Sequence, residues 1–274
     1  MLFIFFFLPL VEAFYHGFTR WNGINPPVFT GMDNLQNAIK DTKFLKSIIN
    51  NLYFILFTCV ISIPLFVVIA ILISRVKAIA SFYKISIFVP VILSTAVVGI
   101  LWGVILDPEI GMLNSFLKAV GLDAFALYWL ADPRTAMISI LVVNAWQWSG
   151  FNIILILTGI YAIPKEIHES SSLDGATAFQ NAIYIILPML RPVLAVILLL
   201  SVIGSMKSLD IVLVMTKGGP FGTTNVMATY MIEQAYLRSN YGYANMIAIL
   251  IFIITLIISF ITNFITKKWG GDSA

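Results

Sequence analysis

Charge is scarce in this chain: Asp, Glu, Lys and Arg make up only 11% of its 274 residues, where a soluble domain carries about 25%. With 60% hydrophobic residues and a mean hydropathy of +0.97, no water-facing sphere could hide the apolar side chains. The bilayer is the solvent for most of the chain, and disordered, collagen-like and disulfide-stapled classes are excluded. Cysteine is nearly absent. Cys59 stands alone, cannot form an intramolecular disulfide, and in its apolar run reads as a core thiol. His16 and His168 lie far apart without Cys, His or Asp neighbours at ligand spacing, so neither a metal nor any other cofactor is expected. A net charge of +3 is too small and too spread out for a nucleic-acid surface.

Catalytic motifs are missing as well. There is no G-x-x-x-x-G-K-[ST], so the chain cannot hydrolyse ATP through a phosphate-cradling loop. The absence of G-x-S-x-G, of H-E-x-x-H and of paired intramembrane aspartates leaves a membrane-embedded enzyme without chemical support.

What is present is long apolar runs. A helix needs about 20 apolar residues to cross a hydrocarbon core about 30 Å thick, and residues 48–73, 85–106, 136–163, 193–215 and 246–265 qualify. A further run over 2–14 is shorter, and no Lys or Arg precedes it, which argues against a signal peptide. We read it as the start of a first transmembrane helix over about 2–19, one that begins upstream. The expectation is one all-helical permease domain over 1–274 with six transmembrane helices. Placing loops 74–84, 164–192 and 266–274 in the cytoplasm puts Arg75, Lys77, Lys84, Lys165, Arg191, Lys267 and Lys268 inside. Their density exceeds that of the opposite loops by less than a factor of two, a weak form of the positive-inside signal.

The loop over 164–188 is too organised for a plain connector. Pro164 ends the fourth span, Glu166 and Glu169 suit the first turns of a short helix, Gly175 permits a sharp bend, and Leu187-Pro188 marks the next span. Two short helices bent at a glycine make a peg for a partner protein. The series Glu169-Ser170-Ser171, three residues, Gly175, nine residues, then Ile185-Ile186-Leu187-Pro188 resembles the E-A-A loop of ATP-binding-cassette importer permeases. Serines replace the two family alanines, while Glu169, Asp174, Gly175, Ala176, Leu187 and Pro188 stay in register. Trp21-Asn22-Gly23, Trp146, Thr216 with Gly218-Gly219-Pro220, and Tyr241-Gly242-Tyr243-Ala244 extend the likeness to the first-type membrane subunit of the carbohydrate-uptake subfamily.

The resemblance implies the type I importer permease fold in a bacterial plasma (inner) membrane. It also implies cytoplasmic ATPase subunits docked on the E-A-A loop, a second permease subunit, and an extracytoplasmic solute-binding protein that delivers a sugar.

Polar groups at membrane depth mark a candidate substrate path. Asn144, Gln147, Trp148, Phe151 and Asn152 share one face of the fourth span, and Ser201, Ser205 and Ser208 share one face of the fifth. Aromatic plates with amides and hydroxyls suit a sugar, whose ring faces stack while its hydroxyls need partners. Interhelical hydrogen bonding without a ligand is the alternative, most of all for the serines. Lys207 and Asp210, three residues apart, could neutralise each other or contact substrate. Gly99-x-x-x-Gly103 allows close helix approach. A secondary transporter of similar span count is the rival reading, and it would need ion-coordinating broken helices and no ATPase.

Overall fold

The computed structural model describes residues 5, 7–76 and 80–270, with backbone alone at 80, 81 and 268–270. Residues 2–4, Phe6 and Lys77 of the expectations above lie outside the described residues. The chain opens with α1 (Leu8–Gly17), a ribbon of β1 (Thr19–Arg20) paired antiparallel with β2 (Val28–Phe29), and α2 (Asp33–Lys40). Asn34 binds this cap together, its amide donating to the Gly17 and Thr19 carbonyls at 2.8 and 2.9 Å.

The first long helix, α3 (Thr42–Arg75), is started by Asp41, whose Oδ1 accepts the Lys43 and Phe44 amides, an N-cap that satisfies two otherwise orphaned donors. A π turn over Thr58–Ser62 precedes Pro64, where the missing N–H interrupts the hydrogen-bond ladder. Next come α4 (Ala80–Ile92), α5 (Thr95–Ile105), α6 (Met112–Ala119) and α7 (Ala136–Tyr161). Then follow α8 (Lys165–Leu173), α9 (Ala178–Met189), α10 (Arg191–Met206) and α11 (Leu209–Met215). Last are α12 (Met227–Ile232), running into a π turn over Glu233–Leu237, and α13 (Tyr241–Gly270).

Two expected spans are broken. The stretch 85–106 is α4 and α5, set at 98°; Pro90 removes a ladder bond within α4, and the extended Ser94 caps α5 by accepting the Val97 amide. The stretch 193–215 is interrupted at Lys207 and Ser208 between α10 and α11. By length and composition α3, α7 and α13 can each cross a membrane, and the bent pairs α4 with α5 and α9 with α10 bring the candidates to five. Only ten residues of α1 are described, so a sixth span is not counted.

Half of the most apolar window of α7 is buried within the protein, against 22% for α13, which makes α7 the central helix. One apolar cluster joins α7 to α3, α9 and α10 through Phe66, Ile156 and Ile197; another joins it to α3, α5 and α11 through Phe54, Val98 and Ile211. Gly99 of α5 lies against Val214 of α11, whereas nothing crowds Gly103. At Gly150 a Cβ would collide with the Ile87 carbonyl oxygen of α4, a backbone atom that cannot rotate away. Gly150→Ala should therefore force α7 from α4 at a cost of about 1–3 kcal/mol. Thermal unfolding of the purified protein in detergent should show a lowered midpoint, and an unchanged midpoint would mean that the contact yields freely.

Candidate functional site

The 164–188 segment folds as the expected pair of helices. Pro164 precedes α8, and α8 closes with the Gly175 and Ala176 amides donating to the Ser172 and Ser171 carbonyls at 3.2 and 3.0 Å. Gly175 adopts φ +76°, the left-handed conformation that glycine reaches at least cost. Thr177 then starts α9 through a reciprocal capping box with Gln180: the Gln180 amide donates to Thr177 Oγ1, and Gln180 Oε1 accepts the Thr177 amide.

Two hydrogen bonds lock this hairpin to itself and to the membrane helices. Asn181 donates to the buried Ser171 hydroxyl at 3.0 Å, and Arg75 at the end of α3 donates to the Ala178 carbonyl at 2.7 Å. A serine at 171 thus has a use that an alanine would lack. Glu169, Ser170, Asp174 and Gly175 are exposed, Leu187 is exposed, and Ala176 and Pro188 are half-buried. A shallow hollow of about 300 Å³ lies along Asp174, Gly175, Ala176, Gln180 and Tyr184. Beside it Leu173, Phe179 and Tyr184 stand 89%, 72% and 74% exposed, so the hairpin presents apolar tips as well as the carboxylates. Sequence reasoning passed over these three, although apolar side chains in a polar loop were the signal for them.

The path residues separate by environment. Gln147 is buried and donates from Nε2 to the Leu93 carbonyl and to Thr95 Oγ1 at 3.3 and 3.2 Å, pinning the α4–α5 break to α7. Its Oε1 is buried and has no partner among the described residues. Asn152 is buried and donates to the Trp148 carbonyl, Asn144 is half-buried, and Trp148 and Phe151 remain open at 45% and 37%. In the other element the Ser205 hydroxyl donates to the Ser201 carbonyl, and the Ser208 hydroxyl to the Ser205 carbonyl, both at 2.8 Å. α7 and α10 pack against each other.

The expectation that Lys207 and Asp210 could pair as helix neighbours does not hold. Lys207 ends α10 and Asp210 belongs to the first turn of α11, so the break removes them from a common helix face. Both are exposed, and no ion pair joins them among the described residues.

Adjacent asparagines of α3, both missed from sequence, hold the break in place. Asn51 is fully buried; its Nδ2 donates to the Ser205 carbonyl and its Oδ1 accepts the Met227 amide, each at 2.9 Å. Asn50 donates to the Thr223 and Asn225 carbonyls at 2.9 and 2.7 Å. Two amides side by side in an apolar run were the visible signal, but partners more than 150 positions away were not.

At the start of α3, Asp41 Oδ2 accepts the Tyr230 and Tyr243 hydroxyls, knitting α3 to α12 and α13 at the edge of an open cleft of about 460 Å³. Burial pushes the Asp41 carboxyl up, but these hydroxyls and the Phe44 and Lys43 amides outweigh it and hold it below the usual carboxylate range. A depressed folded value gives stability that is present above the unfolded value, about 3.9, and is lost as pH falls through the folded one. Asp41→Asn should thus lower the unfolding midpoint at pH 7, with the gap to the wild type closing in strong acid. A gap that stays constant with pH would exclude the charge as its source.

Comparison with known proteins accords with this architecture. Residues 42–269 match the family described as binding-protein-dependent transport system inner membrane component. A probable ABC transporter permease of Pyrococcus horikoshii is 34% identical over 91% of this chain and 86% of its own length. The diacetylchitobiose uptake system permease of Streptomyces coelicolor is 30% identical over 90% and 74%, and the arabinooligosaccharides transport system permease of Bacillus subtilis 30% over 91% and 80%. A crystal structure of a bacterial ABC transporter that imports the acidic polysaccharide alginate superposes with a TM-score of 0.86 at 23% identity, covering 97% of this chain and 91% of its counterpart; at that identity the likeness speaks for the fold. The chain belongs to the binding-protein-dependent transport system inner membrane component family, and is a membrane-embedded transport subunit rather than an enzyme.

Proposed function

We propose that this chain is the first-type permease subunit of an ATP-driven sugar importer, a single permease domain over 1–274. It pairs with a second permease, receives its sugar from an extracytoplasmic binding protein, and is driven by cytoplasmic ATPase subunits. The observation that carries the reading is the rigid α8–α9 hairpin. Glu169, Ser170, Asp174, Gly175 and Leu187 lie on its open surface, and Arg75 ties it to α3, so a push on the peg reaches the membrane helices through a hydrogen-bonded connection. The names of the Streptomyces and Bacillus relatives support a saccharide as the cargo.

The substrate path in this reading runs between α7 and the α10–α11 break. Trp148 and Phe151 offer open ring faces, with Asn144 between them and the protein interior; Ser201, Ser205, Lys207, Ser208 and Asp210 line the break. Gln147 and Asn152 shape the wall, since their amides are committed to protein carbonyls. Trp148→Ala removes a stacking contact of about 1–3 kcal/mol and should reduce uptake of labelled oligosaccharides about tenfold or more, with ATPase stimulation by loaded binding protein falling alongside. Full uptake would remove Trp148 from the path.

A second reading, that the cargo is an anionic sugar derivative, is favoured by Lys207, which is exposed and has no ion pair among the described residues. Lys207→Met separates the two: selective loss of acidic sugars supports the second reading, and equal uptake of neutral and acidic sugars speaks against it.

A further inference from the structure

Between α11 and α12 the chain forms a loop that is more constrained than a connector requires. Lys217, Gly218, Phe221 and Gly222 all have positive φ, at 52°, 83°, 53° and 72°. Among the described residues Lys217, Phe221 and Ser239 are the non-glycine residues in that region, a conformation that side chains with a Cβ oppose. The surroundings hold it there. The Thr216 and Thr224 hydroxyls share a hydrogen bond at 2.8 Å, Thr224 also donates to the Gly219 carbonyl, and Thr223 donates to the Pro220 carbonyl. A Cβ at Gly218 would collide with the Asn225 side chain, so the loop is closed on itself. Strain held by so many bonds marks a conformation kept for a purpose outside the loop.

The purpose is legible at the tip. Phe221 is 96% exposed, more than any other large apolar side chain described, and so gains nothing from its own chain. Its place matters too. The loop stands at the far end of α11, seven residues beyond the break at Lys207 and Ser208, which is about 10 Å of helix. A cleft of about 380 Å³ lined by Gly103, Asp107, Leu130 and Met215 opens beside it. Asn50 grips the loop's exit while its neighbour Asn51 grips the Ser205 carbonyl in the break, so the loop and the break share one anchor.

We propose that residues 217–222 form a rigid docking finger for the sugar-delivering binding protein, with Phe221 as its apolar anchor. The inference rests on the proposed function, because a partner seated on this finger stands over the outer end of the sugar path. That partner needs an apolar socket the size of a phenyl ring, with a carboxylate within reach of Lys217. A finger already ordered in the free chain loses little freedom on docking, and truncating one aromatic at the centre of an interface removes a large share of its affinity.

The test uses the complete transporter in proteoliposomes, titrated with sugar-loaded binding protein while ATP hydrolysis is followed. Phe221→Ser should raise the half-saturating concentration about tenfold or more, with the saturated rate returning to that of the wild type; Phe221→Leu should fall between. An unchanged half-saturation, as expected if the ring sits in lipid, overturns the proposal. Failure of Phe221→Ser to assemble with the second permease also overturns it, by assigning the ring to the interface between permeases. If the wild-type complex itself shows no stimulation, the proposed function fails first and the finger loses its partner; stimulation of the wild type with an indifferent Phe221→Ser sinks the finger alone.

Discussion

Uptake by cells carrying Glu169→Lys or Gly175→Val should fall to background, while the amount of protein in the membrane stays near that of the wild type. Glu169 is exposed, so reversing its charge costs this chain little by itself. A Cβ at Gly175 would meet nothing within 4 Å; crowding is therefore not the reason for glycine there. The reason is φ +76°, which costs an ordinary L-residue about 1–2 kcal/mol and a β-branched one more. A valine relieves that cost by swinging α9 against α8, which moves Phe179 and Tyr184 relative to Leu173. Folding in the bilayer tolerates such a shift, but a partner groove matched to the hairpin does not. Wild-type uptake in both variants, at equal protein levels, would take the hairpin out of the mechanism.

The second large effect is expected at Asn51. Aspartate has nearly the same shape and can still accept the Met227 amide, but when ionised it cannot donate to the Ser205 carbonyl. It also places a carboxylate where the asparagine is fully buried. An unsatisfied buried group costs about 1–3 kcal/mol, more if charged, so Asn51→Asp should cut transport by about tenfold to a hundredfold. Asn50→Asp loosens the Thr223 and Asn225 end and should reduce transport less. Uptake assays on both variants, with surface labelling to normalise protein, check this; full transport by Asn51→Asp would mean that the hold on the break is idle.

Local signals carried most of what sequence reasoning reached. The coupling hairpin was legible because Pro164, Glu166 and Gly175 act within a few residues of themselves, and the span at α7 was recovered almost to its ends. Hydropathy averages over a window, however, and is blind to direction, so 85–106 and 193–215 read as straight spans. The break near Pro90 and Ser94 was written in a proline and a capping serine, and the one at Lys207 in a lysine at membrane depth. Assuming an unbroken helix there made Lys207 and Asp210 look like helix neighbours. The amides of Gln147, Asn50 and Asn51 have partners 52 to 176 positions away. No local pattern foretells those bonds; only the packing of α7 on the α4–α5 break and of α3 on the break after α10 reveals them.

The central claim is that ATP hydrolysed by partner subunits moves a sugar, delivered by a binding protein, through a path that includes this chain. Transport of labelled oligosaccharides into proteoliposomes holding the complete complex tests it most directly, with ATP and loaded binding protein supplied separately and together. The account predicts accumulation only when both are present, and none when this chain carries Glu169→Lys. Accumulation driven by an ion gradient without ATP or binding protein would contradict it and make the chain a secondary transporter.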